Sequence, residues 1–402
     1  MRIMAYFLSF LFSSQAFCYQ SDVCELEPYL IKNKGYKLYS LSNRENSIDS
    51  EDNVLTLLPE FFISINQYSN NERSFKSIGN SSLYVGMSQQ VYQGGVYQKT
   101  KKSLEISEKY KRSVFIGNMN KLLLELFSDV TEYEYKLDRL SIYKNQLRRQ
   151  TSDIKRIMME IDSGNAARID LDIARLRADN INLNISKITS EIKMQESDIY
   201  MKYGIPSDAI HNVTSKTIVK CKSGSYPKNL SEIHNLQIQQ AIANKDVSDA
   251  SSYPSLSVSL SLSPPETGIL NDFTTKKVDF GASINLSVPL NRSLVQKNSQ
   301  RRLAIEKEKI ELDFDEKLKE GEKERKNVEN KVALLKQSLA YGRKAIAVEN
   351  KKIEYILSRI KSGRDTLISY YEQIESLDSI EVNVKKDERD LEFEKVHLYF
   401  LH

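Results

Sequence analysis

The chain has 402 residues and a formal net charge of +4. That excess is too small to mark a nucleic-acid binder, and no basic run interleaved with aromatics rises above helix-surface background. Only 14 glycines, 8 prolines and no tryptophan accompany 58 basic and 54 acidic residues. This mixture argues against the two or three ordinary domains that the length alone suggests, and for long amphipathic helices with wet outer faces.

The first segment reads as an address. Met1-Arg2 is a short positive start, Ile3 to Phe12 is apolar, and Ser13 to Cys18 is small and weakly polar. The pattern predicts a secretory signal peptide over 1–18, removed after Ala16 or Cys18. It is too short to serve as a spanning helix, and no later segment is apolar for long enough to be one. Export without a transmembrane α-helix is expected. A lipid on Cys18 would want a small residue before it, where Phe17 stands. Cys24 and Cys221 lie at the start or end of a repeat, so in an oxidising compartment they form a candidate disulfide; the alternative is two unpaired buried thiols.

Residues 19 to about 53 carry a weak helical pattern. They match Leu230 to Ser252, where Ile233, Leu236, Ile238, Ala241 and Ile242 fall near helical spacing. Strands come next. Phe61, Ile63 and Ile65 alternate with Phe62, Ser64 and Asn66, and Val85 and Met87 alternate with Gly86 and Ser88. In the second half Ser255 to Ser263 alternates serine with Leu or Val, and Ala282, Ile284, Leu286 and Val288 alternate with Ser283, Asn285 and Ser287. Period two gives each strand one apolar and one polar face, at about the ten residues a tilted strand needs to cross a bilayer. Tyr68, Tyr84, Tyr92, Tyr97 and Tyr253 near the strands suggest an interfacial belt, against the plainer reading of scattered surface tyrosines.

Helices follow each strand pair. Leu126, Tyr133, Leu140, Leu147, Ile154 and Ile161 keep a seven-residue step, with Val130, Leu137 and Met158 in a second seam that Lys144 and Thr151 interrupt. Val332, Leu339, Ile346, Ile353 and Ile360 repeat the pattern, with Val328, Leu335 and Ile356 beside them. A seven-residue repeat predicts supercoiled packing. Each helix breaks at a Ser-Gly, Ser163-Gly164 or Ser362-Gly363, and a return helix follows. The first return stripe is predicted to bury Ile169, Ile173, Leu176, Ile185, Ile188, Ile192 and Ile199; the second, Leu367, Tyr371, Ile374 and Leu377.

The chain therefore says nearly the same thing twice. Repeat one covers 19–204, with a strand pair at about 57–92 and a helical hairpin at about 96–203 whose tip is 163–167. A punctuated stretch, 205–229, is read as a connector without a domain of its own. Repeat two covers 230–402, with strands at about 254–289 and a hairpin at about 291–401 whose tip is 362–365. Four strands cannot close a barrel around side chains, and free edges in hydrocarbon cost several kcal/mol per unpaired group, so several chains must join.

With these features the sequence resembles the TolC-like outer-membrane channel family. The resemblance rests on the Pro59- and Pro254-led strand pairs, the long hairpins, and the tips Ile161-Asp162-Ser163-Gly164-Asn165-Ala166-Ala167 and Ile360-Lys361-Ser362-Gly363-Arg364-Asp365. It implies an α+β membrane protein: a homotrimer whose twelve strands form one outer-membrane β-barrel, continued by a periplasmic α-helical barrel closed at its inner tip. It further implies docking onto an inner-membrane transporter through a periplasmic adaptor, for drug efflux or type I protein secretion. In such channels acidic residues after the second tip line the constriction; those positions fall on Ser369, a departure, and Glu372, with Asp170 as the matching acid of the first half. The alternative for both acids is a wet helix start, where negative charge suits the dipole. The family's tyrosine before the second tip glycine is Ile360 here, which puts the usual tip lock in doubt. Adaptor docking would fall on Gly164, Asn165, Gly363 and Arg364, the glycines also meeting a conformational need at sharp turns.

Catalytic signatures are missing. His211, His234, His397 and His402 have no metal-ligand spacing, and there is no phosphate loop or nucleophile motif, so neither enzyme activity nor a cofactor is expected. The rival reading from another class is a periplasmic coiled-coil scaffold without a pore, which has no use for the four alternating strands.

Overall fold

The computed structural model describes residues 24–66, 82–164, 167–263, 278–362 and 364–402. The signal segment with Cys18, the loops between paired strands with Tyr68, and the tip residues Asn165 and Gly363 lie outside the described residues.

The elements in chain order are α1 (Glu27–Leu30), α2 (Lys34–Leu55), β1 (Glu60–Asn66), β2 (Ser82–Gln93), α3 (Val96–Asp162), α4 (Arg168–Tyr203), a 3-10 turn (Ser207–Asn212), α5 (Ser215–Cys221), α6 (Tyr226–Ala250), β3 (Ser255–Ser263), β4 (Asp279–Ser287), α7 (Arg292–Lys361) and α8 (Leu367–Leu401). The four strands form one antiparallel sheet in the order β1-β2-β3-β4, so β1 and β4 are its edges. The helices continue that order. Near the sheet they lie side by side as α2-α3-α6-α7; further away α4 replaces α2 and α8 replaces α6, giving α4-α3-α8-α7. Only α3 and α7, with 67 and 70 residues, run the full height of this wall, which is ~100 Å at 1.5 Å per residue.

The handover from sheet to helix is tight. Gly94, between β2 and α3, has φ +62, and a Cβ there would lie 2.3 Å from the Ala250 carbonyl oxygen. Only glycine meets both demands. Across the same junction the Arg292 guanidinium stacks 3.6 Å over the Tyr253 ring.

The largest core sits at mid-height. Leu123, Leu126, Phe127 and Val130 of α3 meet Ile188, Ile192 and Ile199 of α4 and Val396 and Phe400 of α8. Ile205, Ile210, Val213 and Ile218 join them. The stretch read as a plain connector thus has its own helical turns and is pinned into this core. Cys24 and Cys221 form a disulfide across 197 residues at the same level.

The heptad reading of α3 needs a correction below mid-height. Gln150 and Ile157 are buried, while Thr151 and Met158 face out. A straight helix drifts against a seven-residue grid, and α3 touches both α4 and α8 here, so the buried arc is wide and shifted by one position. Gln150 satisfies its amide by donating to the Ala174 carbonyl at 2.9 Å. The first return stripe is corrected too. Ile188, Ile192 and Ile199 are buried as expected, but Ile169 and Leu176 are 61% and 70% exposed. They lie on the side of α4 away from α3.

The eroded first helix, α2, is regular over 22 residues. Its inner face is polar: Asn46 donates to the Leu104 carbonyl at 3.3 Å and Asn53 to the Tyr97 carbonyl at 3.1 Å. Its Leu41, Ile48 and Leu55 are exposed. Periodicity was weak because the apolar stripe does not face this chain's own core.

Candidate functional site

The first region of interest is the sheet. Directly opposed residues share a face. The register puts Phe61, Met87, Leu260 and Ala282 in one row, and Ile63, Val85, Leu262 and Phe280 in the next. Val258 and Ile284 extend the same apolar face. The opposite face carries Glu60, Ser88, Ser259 and Ser283, then Gln90, Ser257 and Asn285. Two aromatics share this face, Phe62 lying over Gly86 and Tyr84 opposite Ser64. Among the described residues nothing covers the apolar face; Phe61 and Phe280 are 76% and 86% exposed. Of the tyrosines proposed as a belt, Tyr84 and Tyr92 are exposed and Tyr253 is half-buried under Arg292. Among the described residues, no helix is long and apolar enough to cross a membrane.

The second region is the pair of hairpin tips. Gly164 follows α3 with φ +76, and its N–H donates to the Ile161 carbonyl at 3.0 Å. A Cβ at Gly164 would meet nothing within 4 Å, so the turn requires glycine for its backbone angle alone. At the start of α4 the Asp170 carboxylate accepts from the Ala167 N–H at 3.1 Å.

At the second tip Arg359 spans the turn. It reaches the Arg364 carbonyl at 3.1 Å and Asp365 at 3.5 Å, while its own carbonyl accepts the Arg364 N–H at 2.9 Å. Asp365 accepts from the Thr366 N–H at 2.9 Å. That hydrogen bond, the Ser369 hydroxyl and the Arg359 charge hold the Asp365 carboxyl below its ordinary range. The Thr366 hydroxyl caps α8 by accepting the Ser369 N–H at 3.3 Å. Ser369 is therefore part of a helix cap, and Glu372 is exposed one turn further along α8. Arg364 is exposed, and Ile360 packs into the apolar cluster behind the tips.

Above the tips, a polar cluster that sequence reasoning missed joins the two hairpins. Arg149 of α3 pairs with Asp378 of α8. Arg177 of α4 pairs with Glu375 of α8 at 2.7 Å and stacks 4.5 Å over the Tyr371 ring. Asp153 of α3 pairs with Arg156 at 3.1 Å and accepts from the Tyr370 hydroxyl. Asp378 is only 8% exposed. Burial raises its carboxyl to about 6, against the pull of Arg149. Burial likewise lifts Asp153, opposed by Arg156, and moves the Tyr370 hydroxyl up to about 12. Among the described residues no His, Cys, Asp and Glu cluster could hold a metal ion.

An apolar-and-polar sheet, a helical wall in the same strand order, and paired tips at the far end define the TolC-like outer-membrane channel fold. The resemblance read from the sequence is borne out at that level. A membrane protein from Pseudomonas aeruginosa matches at TM-score 0.69 and 12% identity, over 94% of this chain and 88% of that one. The outer membrane protein VceC of Vibrio cholerae matches at 0.67 and 10%, over 94% of each chain. The CmeC outer membrane channel of Campylobacter jejuni matches at 0.68 and 12%, over 94% of this chain and 84% of that one. No known protein family profile matches the sequence, and no curated protein matches it.

Proposed function

We propose that this protein is a homotrimeric outer-membrane exit duct with a long periplasmic extension, serving efflux or type I secretion, opened at its tips by an inner-membrane transporter and adaptor. The observation that carries this reading is that both edges of the wall are unfinished at every level. β1 and β4 are sheet edges. Below them, α4 exposes Ile169, Leu176 and Leu183, and α7 exposes Leu334, Tyr341, Val348 and Tyr355, each in seven-residue steps. Both stripes lie two residues, and so ~200° of helix rotation, beyond the seams that α4 and α7 turn toward their own neighbours. Their heights also match. Leu176 is 12 residues after Gly164 and Val348 is 15 before Gly363.

Joining edge to edge closes a ring. Two copies give eight strands and a bore filled by side chains; three give twelve and room for water. The serine-rich face needs that water, which favours three. In this arrangement Glu372 and Ser369 lie at the narrow end, and Gly164, Asn165, Gly363 and Arg364 face an adaptor. Channels with this fold include the CmeC outer membrane channel and an open state of the Neisseria gonorrhoeae MtrE outer membrane channel. The test is reconstitution of the purified oligomer in planar bilayers. Stepwise conductance from a trimer supports the duct; a trimer that never conducts, with intact or altered tips, favours a poreless scaffold.

A further inference from the structure

The cluster between the hairpins holds a buried carboxylate where α8 packs on α3. Asp378 of α8 faces Arg149 and Gln146 of α3, with Asp153 a turn lower. From α4 comes Arg177, bound to Glu375. On α8 itself Glu381 adds a like charge. On α7 Glu349 pairs with Lys352 at 3.0 Å and accepts from the Gln373 amide. A cleft of about 460 Å³, lined in part by Asn180, Asn184 and Asn383, opens beside Asp378. We propose that Asp378 is a proton-operated latch: when protonated it holds α8 against α3 and keeps the duct shut, and when ionised it leaves that junction poised to open.

The sign follows from linkage. In the packed state Asp378 titrates near 6, against an ordinary 3.8 once α8 swings away and water reaches it. Protons favour the state that binds them more tightly. Acid therefore stabilises the packed junction, although it removes the charge that attracts Arg149. From these two values the packed-to-parted ratio rises roughly tenfold between pH 7.5 and pH 5. Asp153, raised by the same burial, pushes in the same direction.

This inference rests on the duct reading, so the experiment has two arms. In the first, single-channel recordings from pH 7.5 to 5 compare wild type with Asp378→Asn, which mimics the protonated form. Wild type should close as pH falls through about 6. The variant should be largely shut at both ends and lack the step. Arg149→Gln, which leaves the carboxylate unpaired, should move the step to higher pH. In the second arm, thermal unfolding of the purified full-length oligomer is followed over the same range, and wild type should gain stability relative to Asp378→Asn as pH falls. A constant stability difference, or a wild-type step that survives in Asp378→Asn, overturns the latch. If no variant conducts at any pH the duct reading fails, and a stability difference that moves with pH still supports proton-linked packing of α8 on α3.

Discussion

The Asp170 carboxylate accepts a hydrogen bond from the backbone N–H of Ala167, three residues earlier, at 3.1 Å. This contact ties Asp170, a candidate constriction acid, to the first turn of its own helix. Removing it with Asp170→Ala should loosen the start of α4 by about 1 kcal/mol. Amide exchange at the tip, measured against wild type, should report the loss, while block of conductance by multivalent cations stays unchanged. A large change in block would mean that Asp170 lines the constriction.

Glu372 is the contrasting acid. It is exposed beyond the Thr366 cap. A ring of three such carboxylates favours cations at a narrow end. Glu372→Gln should weaken block by multivalent cations several-fold with little effect on protein stability. Unchanged block would place Glu372 away from the narrowest point.

The edge stripes make a reciprocal prediction. Leu176→Glu or Val348→Lys alone should drop the assembly to monomers with its helix content intact, because the charge falls on a face that must desolvate. The double variant should recover trimers, read by sedimentation velocity, since the two positions sit at ~18 and ~22 Å from the tips. Failure of the pair to recover would mean that α4 and α7 meet in another register. Leu339→Ala, by contrast, empties a seam inside the chain and should cost the protomer about 2–5 kcal/mol.

How much of this was legible in the sequence depended on whether a pattern needed a distant partner. Strand alternation at Ser255 to Ser263 and the seven-residue steps of α7 are local, and they emerged directly. The Arg149–Asp378 pair did not, because its members are 229 residues apart and a carboxylate on a helical grid reads as a wet face. The weak helical pattern of α2 has a related cause in Asn46 and Asn53. They bury amides against backbone carbonyls of α3, so the inner face of α2 looked like the outer one. Ile169 and Leu176 were read as facing inward because periodicity reports that a face is apolar, without naming the molecule it meets.

The disulfide between Cys24 and Cys221 should matter most to the mid-height core. Closing a loop of nearly two hundred residues removes chain entropy worth about 5 kcal/mol from the unfolded state. Cys24→Ser with Cys221→Ser should therefore lower the thermal midpoint, and reductant should do the same to wild type while leaving the variant unaffected. Identical unfolding with and without reductant would mean that the bond adds no stability.

That core has a mechanical consequence. Phe127, where the connector, α4 and α8 converge, lies roughly 50 Å along α3 from its end at Asp162. A fulcrum there gives the hairpin a long lever arm: a tilt of about five degrees would swing the tip through roughly 4 Å at the 1.5 Å rise of an unbroken helix. Small forces applied at the far end would thus produce wide displacements without repacking the sheet or the helices that carry it.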